Sequence, residues 1–278
     1  MLTTACARKL QLLSLTVLLS AFAATTVRAG SPVFVGRKSS QQVSMDKVDH
    51  APWSSLLKKY VNENGMVNYR ALKSNPDDTQ VLNQYLDSLS AASPRVAATR
   101  EAKLAFWINA YNAVTVHGIL REYPTTSIRN HTAKLFGYNI WHDLQLYVGG
   151  TAYSLDTMEH QILRKMSEPR IHFAIVCASI GCPRLLNEAY TADRINEQLE
   201  INSKDFFART QNFRYDQSRK QFYLSSILDW FGEDFGNSQA EQLRRISTWL
   251  PNAAAQSAAK QNSVSVSHLE YDWKLNQQ

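Results

Sequence analysis

The stretch between residues 98 and 122 constrains the fold most strongly. It reads ATREAKLAFWINAYNAVTVHGILRE and places aromatic and aliphatic side chains at helical spacing. Pro124 follows and predicts where this helix ends. Charged residues make up 19% of the chain, with only 10 Gly and 8 Pro, which excludes a disordered or collagen-like chain. We therefore expect a packed globular core.

The remaining pattern mixes helices with strands and shows no regular strand–helix alternation. Helical spacing recurs over 53–60, 78–92, 156–166, about 191–208 and 238–250. Hairpins are predicted over 144–155, turning at Gly149-Gly150, and over about 212–224, with single strands over 171–177 and 263–271. This mixture predicts an α+β fold in which helices pack on a small antiparallel sheet. No linker divides residues 50–278, so we expect one domain there.

Residues 1–29 are typical of a secretory signal peptide. The basic pair Arg8 and Lys9 precedes an uncharged apolar stretch, and small residues stand at the cleavage positions before Gly30. We expect cleavage after Ala29 and a periplasmic or secreted mature protein without a membrane span. Residues 30–49 are polar and predict a loose N-terminal segment.

Removal of the signal segment changes both the charge and the cysteine count. The formal charge of +6 falls to +3, because three basic residues and no acidic ones are lost. No clustered basic stripe remains, so we expect no nucleic-acid partner. Cys6 is lost with the segment, which leaves Cys177 and Cys182. Their spacing matches no paired metal motif, and we expect neither a metal nor a cofactor.

The segment from His172 to Pro183 carries the most chemical information. In a strand over 171–177, His172 and Cys177 would lie on opposite faces, so a base for Cys177 would come from another element. A thiol at the end of a strand, before a Ser/Gly turn, is where nucleophiles are often presented, and amides of 179–181 could bind an oxyanion. A disulfide between Cys177 and Cys182 is the competing interpretation.

Two further pairs of polar residues are candidates. Glu159 and His160 are adjacent on a predicted helix and point about 100° apart, so each needs its own partner. Asn109 and Asn112 share one face of the long apolar helix. Buried amides usually act as satisfied crosslinks between a helix and a loop, but one of these could instead orient a ligand or an imidazole.

Five segments together resemble the domain of unknown function 547 family. They are 104–112, 155–164, 172–183, 224–235 and 271–276, in the family's order. The family occurs in secreted bacterial proteins and in plant proteins, where it follows a coiled coil that this chain lacks. The matching positions include Asn109, Glu159, His160, His172 and Cys177, residue types that suit a thiol acyl-transfer site. Papain-like enzymes place the cysteine before the histidine, so kinship to them is analogy only.

Two hypotheses follow for a ligand in the cell envelope. In the first, the domain is a cysteine-dependent hydrolase or acyltransferase: Cys177 is the nucleophile, His160 the base, and Glu159 or Asn109 an orienting group. In the second, the domain is a non-catalytic protein that binds a small molecule, a peptide or a glycan, and its two cysteines are bonded. Its stacking surfaces would be Trp107, Trp141 and Trp230.

Overall fold

A computed structural model describes residues 31–133 and 138–278, and the signal segment predicted over 1–29 lies outside these ranges. The α-helices are α1 Ala51–Tyr60, α2 Tyr69–Lys73, α3 Pro76–Ala91, α4 Arg100–Glu122, α5 Ile140–Asp143, α6 Ile195–Ala208, α7 Ile227–Trp230, α8 Gly232–Phe235, α9 Gln239–Ile246 and α10 Ala253–Gln261. The strands are β1 Val33–Val35, β2 Leu144–Val148, β3 Thr151–Ser154, β4 Phe213–Asp216, β5 Gln221–Ser225 and β6 Ser265–Leu269. The predicted α+β class is confirmed.

Shorter helical turns connect these elements. A π-helix spans Thr157–Leu163, and 3-10 helices span Met45–Lys47, Ile128–His131, Arg164–Met166, Pro169–Phe173 and Ser247–Trp249. The π-helix falls within the helix predicted over 156–166. It carries two of the candidate site residues, Glu159 and His160.

The strands form two mixed sheets of three, not the one antiparallel sheet that the sequence predicts. In the first sheet, β2 pairs with β3 as the predicted hairpin, turning at Gly149 and Gly150, whose φ angles are 57° and 84°. Such positive values suit glycine in a two-residue hairpin turn. In the second sheet, β4 and β5 form the other predicted hairpin.

Each sheet gains its third strand through a parallel pairing. Strand β6 lies parallel to β5, which requires a long crossover between them. The crossover includes α10, a helix that the sequence analysis omits, and Asn252 caps it by accepting a hydrogen bond from the backbone N–H of Ala255. Strand β1 lies parallel to β2. The segment 30–49, predicted to be loose, therefore contributes a strand to the fold.

Helix α4 runs through the larger of two hydrophobic cores. Thr99 caps its start by accepting a hydrogen bond from the N–H of Ala102, and it ends just before Pro124, as predicted. Nearly all of its side chains are buried. We call the surrounding cluster the first core; α1, α3 and the first sheet also contribute to it.

The second core is rich in phenylalanine and is built by the chain after residue 195. It includes Phe206, Phe207, Phe222 and Phe235, with Trp249 beside them. One residue from earlier in the chain, Phe173, joins it. The second core therefore packs against the first along the segment that contains Phe173.

Candidate functional site

The segment 171–177 is not a strand. Pro169–Phe173 is a 3-10 helix, and the residues that follow it have no regular structure. Ile171 packs in the first core and Phe173 in the second, so the apolar run joins two cores instead of lying in a sheet. The predicted alternation of faces is therefore wrong, and His172 and Cys177 line the same cavity.

Two asparagines of α4 fasten loops to the helix. Asn112 donates from Nδ2 to the carbonyl of Ala174 (3.0 Å) and accepts through Oδ1 from the N–H of Val176 (2.9 Å). Asn109 forms the same reciprocal pair with the backbone of Tyr190, at 2.8 and 3.0 Å. Asn109 does not line the cavity, so its position matches the crosslink interpretation. Asn112 holds the backbone that leads into Cys177.

The sulfur of Cys177 is surrounded by hydrogen-bonding groups. Its Sγ lies 2.6 Å from Sγ of Cys182, 3.5 Å from Oγ of Ser179 and 3.3 Å from the hydroxyl of Tyr271. Both cysteines are free thiols. A disulfide bond is about 2.04 Å long, so an oxidant could join the two sulfurs after a small movement of either side chain.

The two thiols differ in acidity. A hydrogen bond from the Cys182 thiol lowers the pKa of Cys177 to about 7, although burial acts in the opposite direction. The hydroxyl groups of Ser179 and Tyr271 add to this lowering. Burial raises the pKa of Cys182 well above its usual value, and the hydrogen bond to Cys177 raises it further. Cys177 is therefore the thiol that ionises near neutral pH.

Glu159 lies on the cavity wall and is electrostatically coupled to Cys177. Burial raises the pKa of Glu159 to about 7, and the charge of a Cys177 thiolate raises it as well. The hydroxyl of Tyr111 donates to Oε2 of Glu159 (3.2 Å) and partly offsets this rise. An acid with a pKa near neutral can both take up and release a proton at physiological pH.

A second network joins the two histidines through Arg164 and Asp234. Arg164 donates from Nε and Nη2 to the two carboxylate oxygens of Asp234, at 2.7 and 2.9 Å, and also pairs with Glu233. His172 donates from Nε2 to Oδ2 of Asp234 (2.7 Å). Arg164 Nη1 lies 3.2 Å from Nδ1 of His160, and since arginine only donates, this nitrogen accepts.

Burial and the hydrogen bonds of this network set the protonation states of His172 and Asp234. Burial lowers the pKa of His172 to about 4, although the hydrogen bond to Asp234 acts in the opposite direction, so this imidazole is neutral near pH 7. Burial opposes ionisation of Asp234, but hydrogen bonds from Arg164 and His172 hold its pKa below the usual value. Asp234 therefore stays a carboxylate, and the ring of His172 is held between it and the stacked ring of Phe231.

The loop after Cys177 is tied to the segment 272–276. Ile180 N–H donates to the carbonyl of Lys274 and Gly181 N–H to that of Asp272, both at 2.8 Å. The sequence predicts that the amides of 179–181 bind an oxyanion, and in the structure two of the three, Ile180 and Gly181, already have acceptors. Ala178 adopts a φ of 61°, which is rare for a residue other than glycine, and Asn276 N–H holds its carbonyl at 3.0 Å. The turn that presents Cys177 is thus held in a strained conformation by the C-terminal segment.

These residues line a cavity of about 290 Å³. Glu159, His160, His172 and Cys177 are all on its wall, so four of the five candidate residues are brought together. The other lining residues are Tyr111, Trp141, His142, Asp156, Ile175, Cys182, Pro183, Ile227, Trp230, Phe231, Tyr271 and Trp273. Each of the five family-like segments contributes to the wall.

The aromatic residues of the cavity differ in part from those expected. Trp107 is buried in the first core and cannot act as a stacking surface. Trp141 and Trp230 do line the cavity, and Trp230 is 46% exposed. Tyr271 and Trp273, which the sequence analysis does not assign to the site, pack against Trp230 with ring centroids 4.9 and 5.8 Å from it. Asp234 and Arg164 were also missed, although both stand in family-like segments.

Residues 31–133 and 138–278 show neither a cluster of metal-binding side chains nor a helix that could span a membrane. This part of the chain holds no group of three or more His, Cys, Asp or Glu side chains arranged to bind a metal ion. None of its helices combines the length and the hydrophobicity that a bilayer crossing requires.

A family model described as "Protein of unknown function, DUF547" matches residues 96–207. The resemblance to this family is thus confirmed over residues 96–207. The matched stretch contains α4, the π-helix and both cysteines, whereas Asp234, Tyr271 and Trp273 lie beyond it. Comparison with curated proteins and with solved structures found no match.

Proposed function

We propose that the cavity is the active site of a cysteine-dependent hydrolase or acyltransferase with Cys177 as the nucleophile. One observation carries the proposal: the sulfur of Cys177 lies on the wall of a cavity, next to the Cys182 thiol (2.6 Å) and the Tyr271 hydroxyl (3.3 Å), both of which can donate a hydrogen to it. Donors around a sulfur stabilise the thiolate, which is the reactive form. The lowered pKa of Cys177 agrees with this arrangement.

Glu159 is better suited than His160 to be the acid and base. Nδ1 of His160 accepts a hydrogen bond from Arg164, so the lone pair of that nitrogen is engaged. In the neutral ring the proton then resides on Nε2, which lies 3.8 Å from Oδ1 of Asp156. Glu159 has a pKa of about 7 and is coupled to the charge of Cys177. His172 is held by Asp234 and supports Phe231 by stacking, so we assign it a positioning role.

The reaction takes place in two balanced steps. The Cys177 thiol passes its proton to Glu159, its sulfur bonds to the acyl carbon, and the leaving group departs with the proton that Glu159 returns. Water or an acceptor amine then attacks the thioester, gives a proton to Glu159, and displaces the sulfur, which regains that proton. We assign the Tyr271 hydroxyl, which donates to Sγ of Cys182 (3.0 Å) before the substrate binds, as a donor to the oxyanion, because the Ile180 and Gly181 amides are engaged. Burial raises the pKa of Tyr271, so the hydroxyl keeps its hydrogen.

Acylation by p-nitrophenyl acetate tests the proposal. The reduced Cys182→Ser protein is treated with the ester, and intact-mass and peptide mass spectrometry locate the acetyl group. Serine retains a donor hydrogen next to Cys177 but cannot form a disulfide with it. We expect acetylation of Cys177, none at that position in a Cys182→Ser/Cys177→Ala double variant, and slower loss of the acetyl group in a Glu159→Gln protein. A folded, reduced protein that stays unacetylated at Cys177 would contradict the proposal.

The second candidate function is ligand binding by a protein whose cysteines are bonded. The observation in its favour is the 2.6 Å separation of the two sulfurs beside an aromatic wall. Titration of free thiols in the denatured protein, isolated from an oxidising compartment without reductant, separates the two candidates. Two free thiols favour the nucleophile. A disulfide in every molecule, with no acetylation after reduction, favours the binding protein.

We also propose that the protein acts in the bacterial periplasm after removal of residues 1–29. The apolar stretch and the small residues before Gly30 support this location. Mass spectrometry of the protein recovered from the periplasm is expected to find Gly30 as the first residue. Recovery of the protein in the cytoplasm with residues 1–29 attached would contradict the proposal.

A further inference from the structure

The cavity next to Cys177 combines aromatic rings with carboxylates. Six of the residues named above as its lining are Trp, Phe or Tyr: Tyr111, Trp141, Trp230, Phe231, Tyr271 and Trp273. Asp156 and Glu159 supply two carboxyl groups. Within the described part of the chain, no Lys or Arg lines this cavity. A thiolate at Cys177 would add a further negative charge.

Two arginines lie against rings of this wall, and one of them, Arg164, is paired with carboxylates. Arg164 lies behind the wall, and its guanidinium is held by Asp234 and Glu233, so its charge is compensated. The same guanidinium lies over the ring of Phe231, 5.4 Å from the centroid. Arg129 lies over Trp273 at 5.2 Å. Two rings of the wall are therefore within the distance at which cation–π attraction operates.

The rings of Trp230 and Tyr271 have a different environment. Among the described residues, no Lys or Arg is placed over either ring at cation–π distance. Trp230 is 46% exposed, and Asp156 on the same cavity has a side chain that is 38% exposed. An aromatic face without a Lys or Arg over it, on the same cavity as a carboxylate, attracts a positively charged group; Nε2 of His160 also lies 3.8 Å from Oδ1 of Asp156.

We propose that the cavity recognises a cationic substrate group, an alkylammonium or a guanidinium, which lies against Trp230 and Tyr271 with Asp156 as its counter-ion. The substrate class is then an acyl compound that carries a positive charge close to its reacting carbon. This inference rests on the proposed function insofar as it places the charge beside the carbon that Cys177 attacks. A neutral glycan would also stack on these rings, but its binding would not depend on Asp156.

Charged thiol reagents test the inference at Cys177 itself. Methanethiosulfonates with a trimethylammonium or a sulfonate tail transfer the tail as a mixed disulfide and release methanesulfinate. The rate constants of both reagents are measured with reduced Cys182→Ser protein and with 2-mercaptoethanol. The normalised ratio is the cationic-to-anionic rate ratio for the protein divided by the same ratio for 2-mercaptoethanol. We expect the normalised ratio to favour the cationic reagent by about tenfold at low salt and to fall as salt is added.

Variants separate the contributions to this preference. Asp156→Asn and Trp230→Leu are each expected to lower the normalised ratio about threefold or more. Asp229→Asn is the matched control, because this substitution changes the net charge by the same amount as Asp156→Asn. The side chain of Asp229 is 61% exposed and does not line the cavity. The ratio should stay unchanged in this control. A normalised ratio of one or less in the Cys182→Ser protein, or an equal loss in the control, overturns the inference.

A binding measurement makes the result independent of Cys177. In a Cys177→Ser protein, tetramethylammonium is expected to shift the NMR signal of the Trp230 indole, whereas tert-butanol, a neutral molecule of similar shape, is not. If neither thiol reagent modifies Cys177 but tetramethylammonium shifts Trp230, the nucleophile proposal fails and the cationic ligand remains. If Cys177 reacts without charge preference and Trp230 does not respond, the cationic ligand is excluded and the nucleophile remains.

Discussion

The two hydrophobic cores contribute different things to one cavity. The first core, around α4, contains Tyr111, which donates a hydrogen bond to Glu159, and Cys177 packs against this core. The second core contains Ile227, and Phe231 packs against it, while Asp234 from the same part of the chain holds His172. Both cores also supply aromatic rings to the wall, since Trp141 and Trp273 pack against the first core and Tyr271 packs against both. The cavity lies where the two cores meet, and the segment that joins them contributes His172, Ile175 and Cys177 to its wall.

The strongest test of this division is the residue that links the cores. Phe173 is fully buried, and its ring centroid lies 4.7 Å from that of Phe206 and 5.3 Å from that of Phe207. Phe173→Ala is expected to lower the free energy of unfolding by about 3–5 kcal/mol. Urea denaturation measures the loss, and amide hydrogen exchange reports α4 and α9 separately. If only α9 exchanges faster, the two cores unfold independently of each other, and Phe173 does not couple their stabilities.

A smaller effect is expected from the amide that holds the cysteine segment. Asn112→Ala leaves the Ala174 carbonyl and the Val176 N–H without their partner, which costs about 2–4 kcal/mol of stability. Asn109→Ala is the matched control, since it removes the same reciprocal pair from Tyr190. Both variants should lose similar stability in urea, but only Asn112→Ala should shift the pH dependence of Cys177 alkylation. An equal shift in both would show that Asn112 has no special role at the site.

Acid is expected to lower the stability of the protein through its buried histidines. Burial lowers the pKa of His50, His117 and His172 to about 4, so between pH 4 and 6.5 these rings are neutral when folded and protonated when unfolded. Stability therefore falls as the pH drops through this range. Glu159, whose pKa is raised to about 7, acts in the opposite sense. The net loss from pH 6 to pH 5 is about 2 kcal/mol.

His117 offers the control for this pH dependence. It lies on α4, and its Nδ1 is buried without a hydrogen-bond partner in the described structure. His117→Leu should reduce the slope of stability against pH by about one proton without lowering stability at pH 7. Urea midpoints measured from pH 5 to pH 7 provide the comparison. An unchanged slope would mean that His117 does not contribute.

The smallest effect concerns the coupling of Glu159 to Cys177. Glu159→Gln keeps an oxygen that can accept from Tyr111 but removes the charge. Since the coupling is mutual, the pKa of Cys177 should fall by a few tenths of a unit, which iodoacetamide alkylation rates across pH 5–9 can resolve. Tyr111→Phe is the comparison, because it removes only the hydrogen bond to Glu159. If Glu159→Gln leaves the alkylation profile unchanged, the two groups titrate independently.

Local patterns predicted much of the fold. Helix α4 and the Gly149-Gly150 hairpin were predicted because apolar spacing, a proline stop and turn residues act over a few neighbouring positions. The run 171–177 was assigned to the wrong structure because continuous apolar character suits a buried strand and equally a segment shared by two cores. Helix α10 was missed because Pro251 suggested an end to the helical region, although Asn252 is a capping residue.

The site was predicted in part, for a related reason. Cys177, His160, Glu159 and His172 lie close enough in sequence to be suspected together. Asp234 reaches His172 across 62 residues and Tyr271 reaches Cys177 across 94, and such contacts leave no local signal. Their presence in family-like segments was the available indication. Strand pairing has the same difficulty, since the parallel neighbours of β2 and β5 come from distant positions in the chain.

The contact between Tyr271 and the two cysteines also has a consequence for the order of events in synthesis. The hydroxyl that covers both sulfurs follows Cys177 by 94 residues and Cys182 by 89. At about 5–20 residues per second, the thiols are made roughly 5–20 s before their cover. During that interval the Ala178 turn also lacks Asn276, which holds it. Until residues 271–276 have been synthesised, the two thiols therefore lack the Tyr271 hydroxyl that covers them and are exposed to oxidants and to thiol-modifying reagents.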